Sequence, residues 1–176
     1  GQLQFTTNDP DTPLYRFNLK AAVTGSATVG APILTLPRPA AAYSNGSAPR
    51  IVSPLAIVSD SDTTYFVGGS LIVEIAGRAL STDQLSLRNQ GTGVGQIGVN
   101  GANITYSGAI IGTMSGGNGT MPLAIALNGT VTTVIVQSLM RNVTFASSLA
   151  APSIGRRYLR FTVLDETTKE SNRATM

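Results

Sequence analysis

The 176 residues include no cysteine, no histidine and no tryptophan. Without thiols there is no disulfide framework and no thiolate nucleophile. Without imidazole there is no histidine base and no Cys/His zinc site. A metal held here must sit among oxygens, which points to calcium. Charge is scarce as well: Lys and Arg total 12, Asp and Glu total 9, and the net charge is +3. The densest basic cluster, RRYLR, alternates so that Arg156, Tyr158 and Arg160 share one strand face while Arg157, Leu159, Phe161 and Val163 share the other. It reads as a solvated sheet face rather than a nucleic-acid contact. No apolar run approaches the ~18 residues that cross a bilayer, so membrane insertion is not expected. There is no signal peptide, and a start at Gly1 points to a processed or cut piece of a longer polypeptide.

What is present is glycine, serine, threonine, alanine and valine in short runs, which predicts an all-β chain. Residues 1–24 read as a hairpin: Leu3 and Phe5 alternate with polar neighbours, NDPDTP turns the chain, and Tyr15, Phe17 and Leu19 alternate again. Residues 25–48 are Ala- and Pro-rich and read as a linker, with ILTL able to pair at a sheet edge. From about residue 49, the runs IVSPLAIVSD, SLIVEIAG, QLSLRN, GQIGV, NITYS, AIIGTM, PLAIALN and RRYLRFTVLD are predicted strands. Asn100-Gly101 signals a type I′ hairpin, with positive φ at both central residues. In NGTVTTVIVQSLMRNVTF, Val136, Leu139, Met140 and Val143 recur at helical spacing, with Thr130 or Thr132 as cap, although TVTTVIV also has strand propensity. GVGQIG, residues 93–98, fits the dinucleotide spacing G-x-G-x-x-G. That fingerprint needs a helix next, and here a turn and a strand follow, so the glycines serve strand approach instead.

The ordered motifs VSDSDTTYFVGGSLIVEI, DQLSLRNQGTGVGQIGV, ITYSGAIIGTMSGG, PLAIALN, VQSLMRNVTF and RFTVLD resemble one bacterial cadherin-like repeat over residues 49–168. Such repeats stand in tandem in large secreted or surface proteins, often adhesins. The resemblance implies an immunoglobulin/cadherin-like β-sandwich, here with one short helix, and calcium at domain ends in many members. FTTNDPDTPLYRFNLKAAVTG separately resembles the closing strands of a bacterial Hydin-like immunoglobulin domain. Residues 169–176 are left as a polar tail or linker.

Asp60 and Asp62 form D-S-D after a predicted strand, and Asp165-Glu166 follows the last strong one. Strand order can bring such segments to opposite poles or to interdomain junctions, and alternate acids can aim two carboxylates at one ion. By resemblance, Asp60 and Asp62 match the family's D-x-D, and Asp165 matches the first acid of its closing D-G-D-G-like turn. Thr167 stands where a second acid is usual, Glu166, Thr168 and Lys169 replace glycines, and Tyr65 replaces an acid. Asp60, Asp62, Asp165 and Glu166 are therefore the calcium candidates, with Glu74 and Asp83 behind them. Asp9 and Asp11 read as turn residues.

The leading expectation is a non-catalytic structural or adhesive module at the cell surface or in the extracellular matrix, stiffened by calcium. Phe5, Tyr15, Phe17 and Leu19 are candidates for self-association. The hairpin that carries them can extend its own sheet or pair with the next copy or a neighbouring repeat into a filament. The competing class is a polysaccharide-binding module using Tyr43, Tyr65 or Tyr158. Lys20 or Lys169 is a candidate for an intramolecular isopeptide bond. Five N-x-S/T sequons begin at Asn45, Asn103, Asn118, Asn128 and Asn142.

Overall fold

The computed structural model describes residues 2–6, 14–18, 30–37, 41–44, 46–148 and 155–176. The first two segments form a hairpin, β1 (Gln2–Thr6) with β2 (Leu14–Asn18), in which Phe5 lies opposite Tyr15 and Leu3 opposite Phe17. Leu19, expected on the same face, lies outside the described residues.

The rest is all-β with one short helix. In chain order the strands are β3 (Ile33–Thr35), β4 (Arg50–Ile51), β5 (Ile57–Ser59), β6 (Ser70–Gly77), β7 (Asp83–Leu87), β8 (Ile97–Asn100), β9 (Asn103–Tyr106), β10 (Ala109–Gly116) and β11 (Leu123–Leu127). Helix α1 (Thr133–Arg141) then precedes β12 (Val143–Ser147), β13 (Tyr158–Leu164) and β14 (Ala174–Thr175). A seven-stranded antiparallel sheet runs β14-β13-β6-β11-β10-β9-β8, and a three-stranded sheet runs β4-β12-β7. β3 pairs with β5. Alternation dictates the long strands: in SLIVEIAG, Leu71 and Val73 point inward and are fully buried, and in YLRFTVL so are Phe161 and Val163. They meet Leu85, Leu87 and Val143 of the smaller sheet in one hydrophobic core that also holds Phe66, Ile97, Ile104 and Ile125. Each such side chain contributes roughly 1.5–3 kcal/mol when fully buried.

The helix forms where the 3.6-residue spacing places it, burying Val136, Leu139 and Met140 and packing on β5. Thr132 is its N-cap, but the Thr132 side chain makes no capping bond. Val143 lies beyond the helix, in β12. Helical order stops at Asn142, whose N–H bonds back to Leu139 and Met140 carbonyls and whose Oδ1 accepts Arg88 Nε at 2.9 Å. That buried Asn142 is a structural cap, unlike an accessible sequon.

Three sequence expectations need correction. The β8–β9 hairpin pairs Asn100 with Asn103, so the central residues are Gly101 and Ala102 rather than Asn100 and Gly101. Of these only Gly101 has positive φ, at 58°, which replaces the type I′ expectation with the one-residue requirement of a II′ turn. Within 25–48, Leu34 is core and Ile33–Thr35 is the edge strand that ILTL suggested. Residues 169–176 are no tail. β14 pairs Ala174 with Phe161, and the Asn172 side chain clamps β3, accepting from Leu34 N–H at 2.7 Å and donating to Leu34 O at 3.0 Å. Among the described residues, no helix is long and apolar enough to cross a membrane.

Candidate metal centre

Leu164, the last residue of β13, pairs with Ser70, the first of β6, so the turn after β13 and the loop before β6 share one end of the large sheet. The loop after β5 arrives there too. Asp60, Asp62 and Asp165 each present a carboxylate oxygen within 4.8 Å of the others. The two acidic segments thus meet at a single pole, not at opposite ones.

The turn after β13 is built around Asp165. Its Oδ1 accepts Thr167 N–H at 2.7 Å, Thr167 Oγ1 at 2.8 Å and Lys169 N–H at 2.9 Å. Its Oδ2 is buried and has no partner, and the residue is only 1% exposed. Asp60 Oδ2 is a second buried oxygen without a partner, while its Oδ1 accepts Asp62 N–H at 3.3 Å. Buried polar atoms are normally satisfied, so two such oxygens on carboxylates of one cluster leave room for a ligand. Burial raises the Asp60 carboxyl above its ordinary value; the Asp62 N–H bond opposes this and the Asp62 carboxylate adds to it. Asp62 goes the other way, held low chiefly by Lys169, whose Nζ donates to Asp62 Oδ2.

Two glycines allow this close assembly. A Cβ on Gly69 would collide with the Leu164 carbonyl, and Gly69 N–H bonds to Phe66 O at 3.0 Å. A Cβ on Gly30 would collide with Asp62 Oδ2 and Lys169 Nζ, so the backbone at residue 30 lies directly on that ion pair. Thr168 holds φ of 64°, an outlier for a β-branched residue and the conformation that suits glycine.

The donor set suits a hard cation. Calcium–oxygen distances are ~2.3–2.6 Å, so carboxylate oxygens up to about 4.8 Å apart can share one ion. Asp60 Oδ2 and Asp165 Oδ2 have no hydrogen-bond partner, whereas Asp62 Oδ2 is engaged by Lys169 Nζ. Glu166 is not in the group: its Oε1 accepts the Thr63 hydroxyl at 2.8 Å, tying the two loops together beside it. Glu74 and Asp83 are elsewhere. Glu74 pairs with Arg160 at 2.5 Å across β6 and β13. Asp83 is fully buried and pairs with Arg157 at 2.6 Å.

Lys169 and Gly30 belong to this pole, yet neither was a metal-site candidate. A lysine four residues after Asp165 in a closing turn was the available signal for one, and nothing local marked the other.

The tyrosines proposed for sugar binding stand on separate elements. Tyr43 packs edge-on against Phe145 at 5.1 Å and its OH accepts Ser147 N–H at 3.1 Å, which makes it a structural anchor rather than an exposed platform. Tyr65 bridges to Thr132, and Tyr158 begins β13; each is about half-exposed. Gly93 and Gly95 of GVGQIG fall in a loop leading into β8, where Gly93 N–H bonds to Gln96 Oε1 at 2.9 Å, while Gly98 lies within β8, where a Cβ would meet the Gly91 carbonyl at 2.8 Å. No helix follows, and the glycines serve strand approach. Comparison of the chain with family models, with curated proteins and with solved structures returned no match.

Proposed function

We propose that the chain is a non-catalytic structural or adhesive module of a large extracellular protein, with calcium taken at the Asp60–Asp62–Asp165 pole. The observation that carries the reading is a cluster of three carboxylates within 4.8 Å of one another, two of which, Asp60 and Asp165, each keep a buried oxygen without a partner. An immunoglobulin/cadherin-like sandwich is favoured by the single core into which both sheets send their buried side chains. In such a module, an ion joining the loop after β5 to the turn after β13 stiffens one end of the domain. A bacterial surface or secreted location, and the preceding Hydin-like domain, rest on the motif resemblance.

The test is thermal unfolding and calorimetry with millimolar calcium and with chelator. Calcium raises the melting temperature of the wild type and leaves Asp60→Asn and Asp165→Asn unmoved. A wild type that neither binds nor stabilises removes calcium from the reading. Self-association through β1 and β2 is the second part of the proposal, favoured by their pairing with each other alone among the described strands. Light scattering of the chain with and without residues 1–24 decides it, since only the longer chain assembles.

A further inference from the structure

We propose that Lys169 is a tethered cation that holds the calcium seat and must swing out before the ion can enter. The inference rests on the functional reading above and adds a regulation to it. Three observations place the ammonium there. Lys169 Nζ donates to Asp62 Oδ2. Its backbone N–H donates to Asp165 Oδ1, so the residue is fixed to the carboxylate that anchors the cluster. The Cβ-free backbone at Gly30 lies against the ion pair on one side, while the Lys169 and Asp62 side chains keep 28% and 40% exposure to water on the other.

The ammonium and a divalent ion at this cluster compete for one oxygen, Asp62 Oδ2. Ammonium and calcium within ~4 Å of each other repel strongly at any protein dielectric. The side chain is 28% exposed and its stem is flexible, so a path to water exists. Without calcium, Lys169 partly neutralises the three carboxylates and keeps the pole folded. With calcium, the ion takes the Asp62 oxygen and Lys169 projects into solvent as a free amine. The exchange shifts the site toward weak binding, in the ~10⁻⁴–10⁻³ M range of extracellular calcium modules.

Lysine chemistry makes this directly readable, because the chain has only Lys20 and Lys169. The full chain is acylated with a water-soluble amine reagent and each lysine is followed by peptide mass spectrometry, with Lys20 as internal reference. Calcium is expected to raise Lys169 labelling relative to Lys20. In parallel, calorimetry with calcium chloride compares wild type, Lys169→Met, Lys169→Gln and Lys169→Arg. The two neutral variants bind calcium on the order of tenfold tighter or more, melt lower than wild type in chelator, and recover with calcium. Lys169→Arg stays close to wild type.

Equal affinity in all four proteins, with labelling indifferent to calcium, overturns the exchange and leaves the calcium reading standing. Absence of binding in every protein, the neutral variants included, overturns both. An intact mass one water short, with the Lys169 and Asp62 peptides joined in the digest, shows that the two have condensed to an amide, and that too overturns the exchange.

Discussion

At the scale of single residues, the pole carries two local costs that substitution exposes. Thr168 is held at φ 64°, where an L-residue loses roughly 1–2 kcal/mol relative to glycine. Thr168→Gly is expected to stabilise the chain by about 1 kcal/mol, part of it offset by the wider unfolded ensemble of glycine. Urea titration measures it; a destabilised variant shows that the Thr168 side chain makes a compensating contact. Asp60 is the second cost. Its folded-state carboxyl is raised above the ordinary 3.8, chiefly by burial. The folded protein therefore holds that proton more tightly than the unfolded chain. The resulting stability is fully present below 3.8 and is lost as pH rises through the raised value. At neutral pH the charge is a burden unless a cation meets it. Asp60→Asn should melt higher than wild type in chelator at neutral pH, with the difference vanishing in acid. A lower melting temperature at neutral pH would mean that Asp62 and Thr63 backbone bonds to the carboxylate outweigh burial.

Among elements, the informative contact is Arg157 with Asp83. β13 begins one residue after Arg157, and alternation sends that side chain inward, alongside Leu159 and Phe161. It meets the first residue of β7, whose carboxylate also accepts Leu80 N–H at 2.9 Å. The two sheets are thereby joined by a buried ion pair. Its removal from one side is not symmetrical. Arg157→Met leaves a fully buried carboxylate with one backbone donor and should cost about 3–5 kcal/mol. Asp83→Asn can keep the Leu80 N–H and Arg157 Nε bonds on its one oxygen, loses the longer Arg157 Nη2 bond and leaves a guanidinium with some access to water, so its cost should be the smaller. Equal costs in denaturant melts would show that the pair is held by geometry alone. The inward position of Arg157 was legible from the period of two, but its partner was not: Asp83 stood as a secondary calcium candidate because nothing in DQLSLRN says that its first residue is buried against an arginine.

For the molecule as a whole, the strands were legible because each long run alternates and ends at a turn residue. Leu71, Val73, Leu85, Leu87, Phe161 and Val163 all reach the core that alternation assigns them. The hairpin at Asn100-Gly101 was legible as a turn but not in register, since Gly101 meets the positive-φ need alone and lets the pairing slide by one. Of the candidate ligands, Asp60, Asp62 and Asp165 converge and Glu166 stands beside them. Their convergence depends on pairing Leu164 with Ser70, a contact between residues 94 positions apart in number that no local pattern encodes. Lys169 stayed illegible as a cluster member for the same reason: four residues after Asp165 it faces Asp62, 107 positions away.

Tension gives the Asn172 clamp a further meaning. The chain after β13 is tied to β3 by Asn172 to Leu34 and to the loop after β5 by Lys169 to Asp62. Gly30 lies at the cluster pole, whereas Met176 exchanges hydrogen bonds with Leu159 at the other end of β13. A pull applied at those two places loads β14 along its length, so its bonds to β13 are sheared together instead of being opened one by one. The load reaches β3 through the Asn172 amide before it reaches the core. Asn172→Ala should then lower the force at which a single molecule yields far more than it lowers the melting temperature. Equal proportional losses in both would show that the clamp serves folding and bears no load.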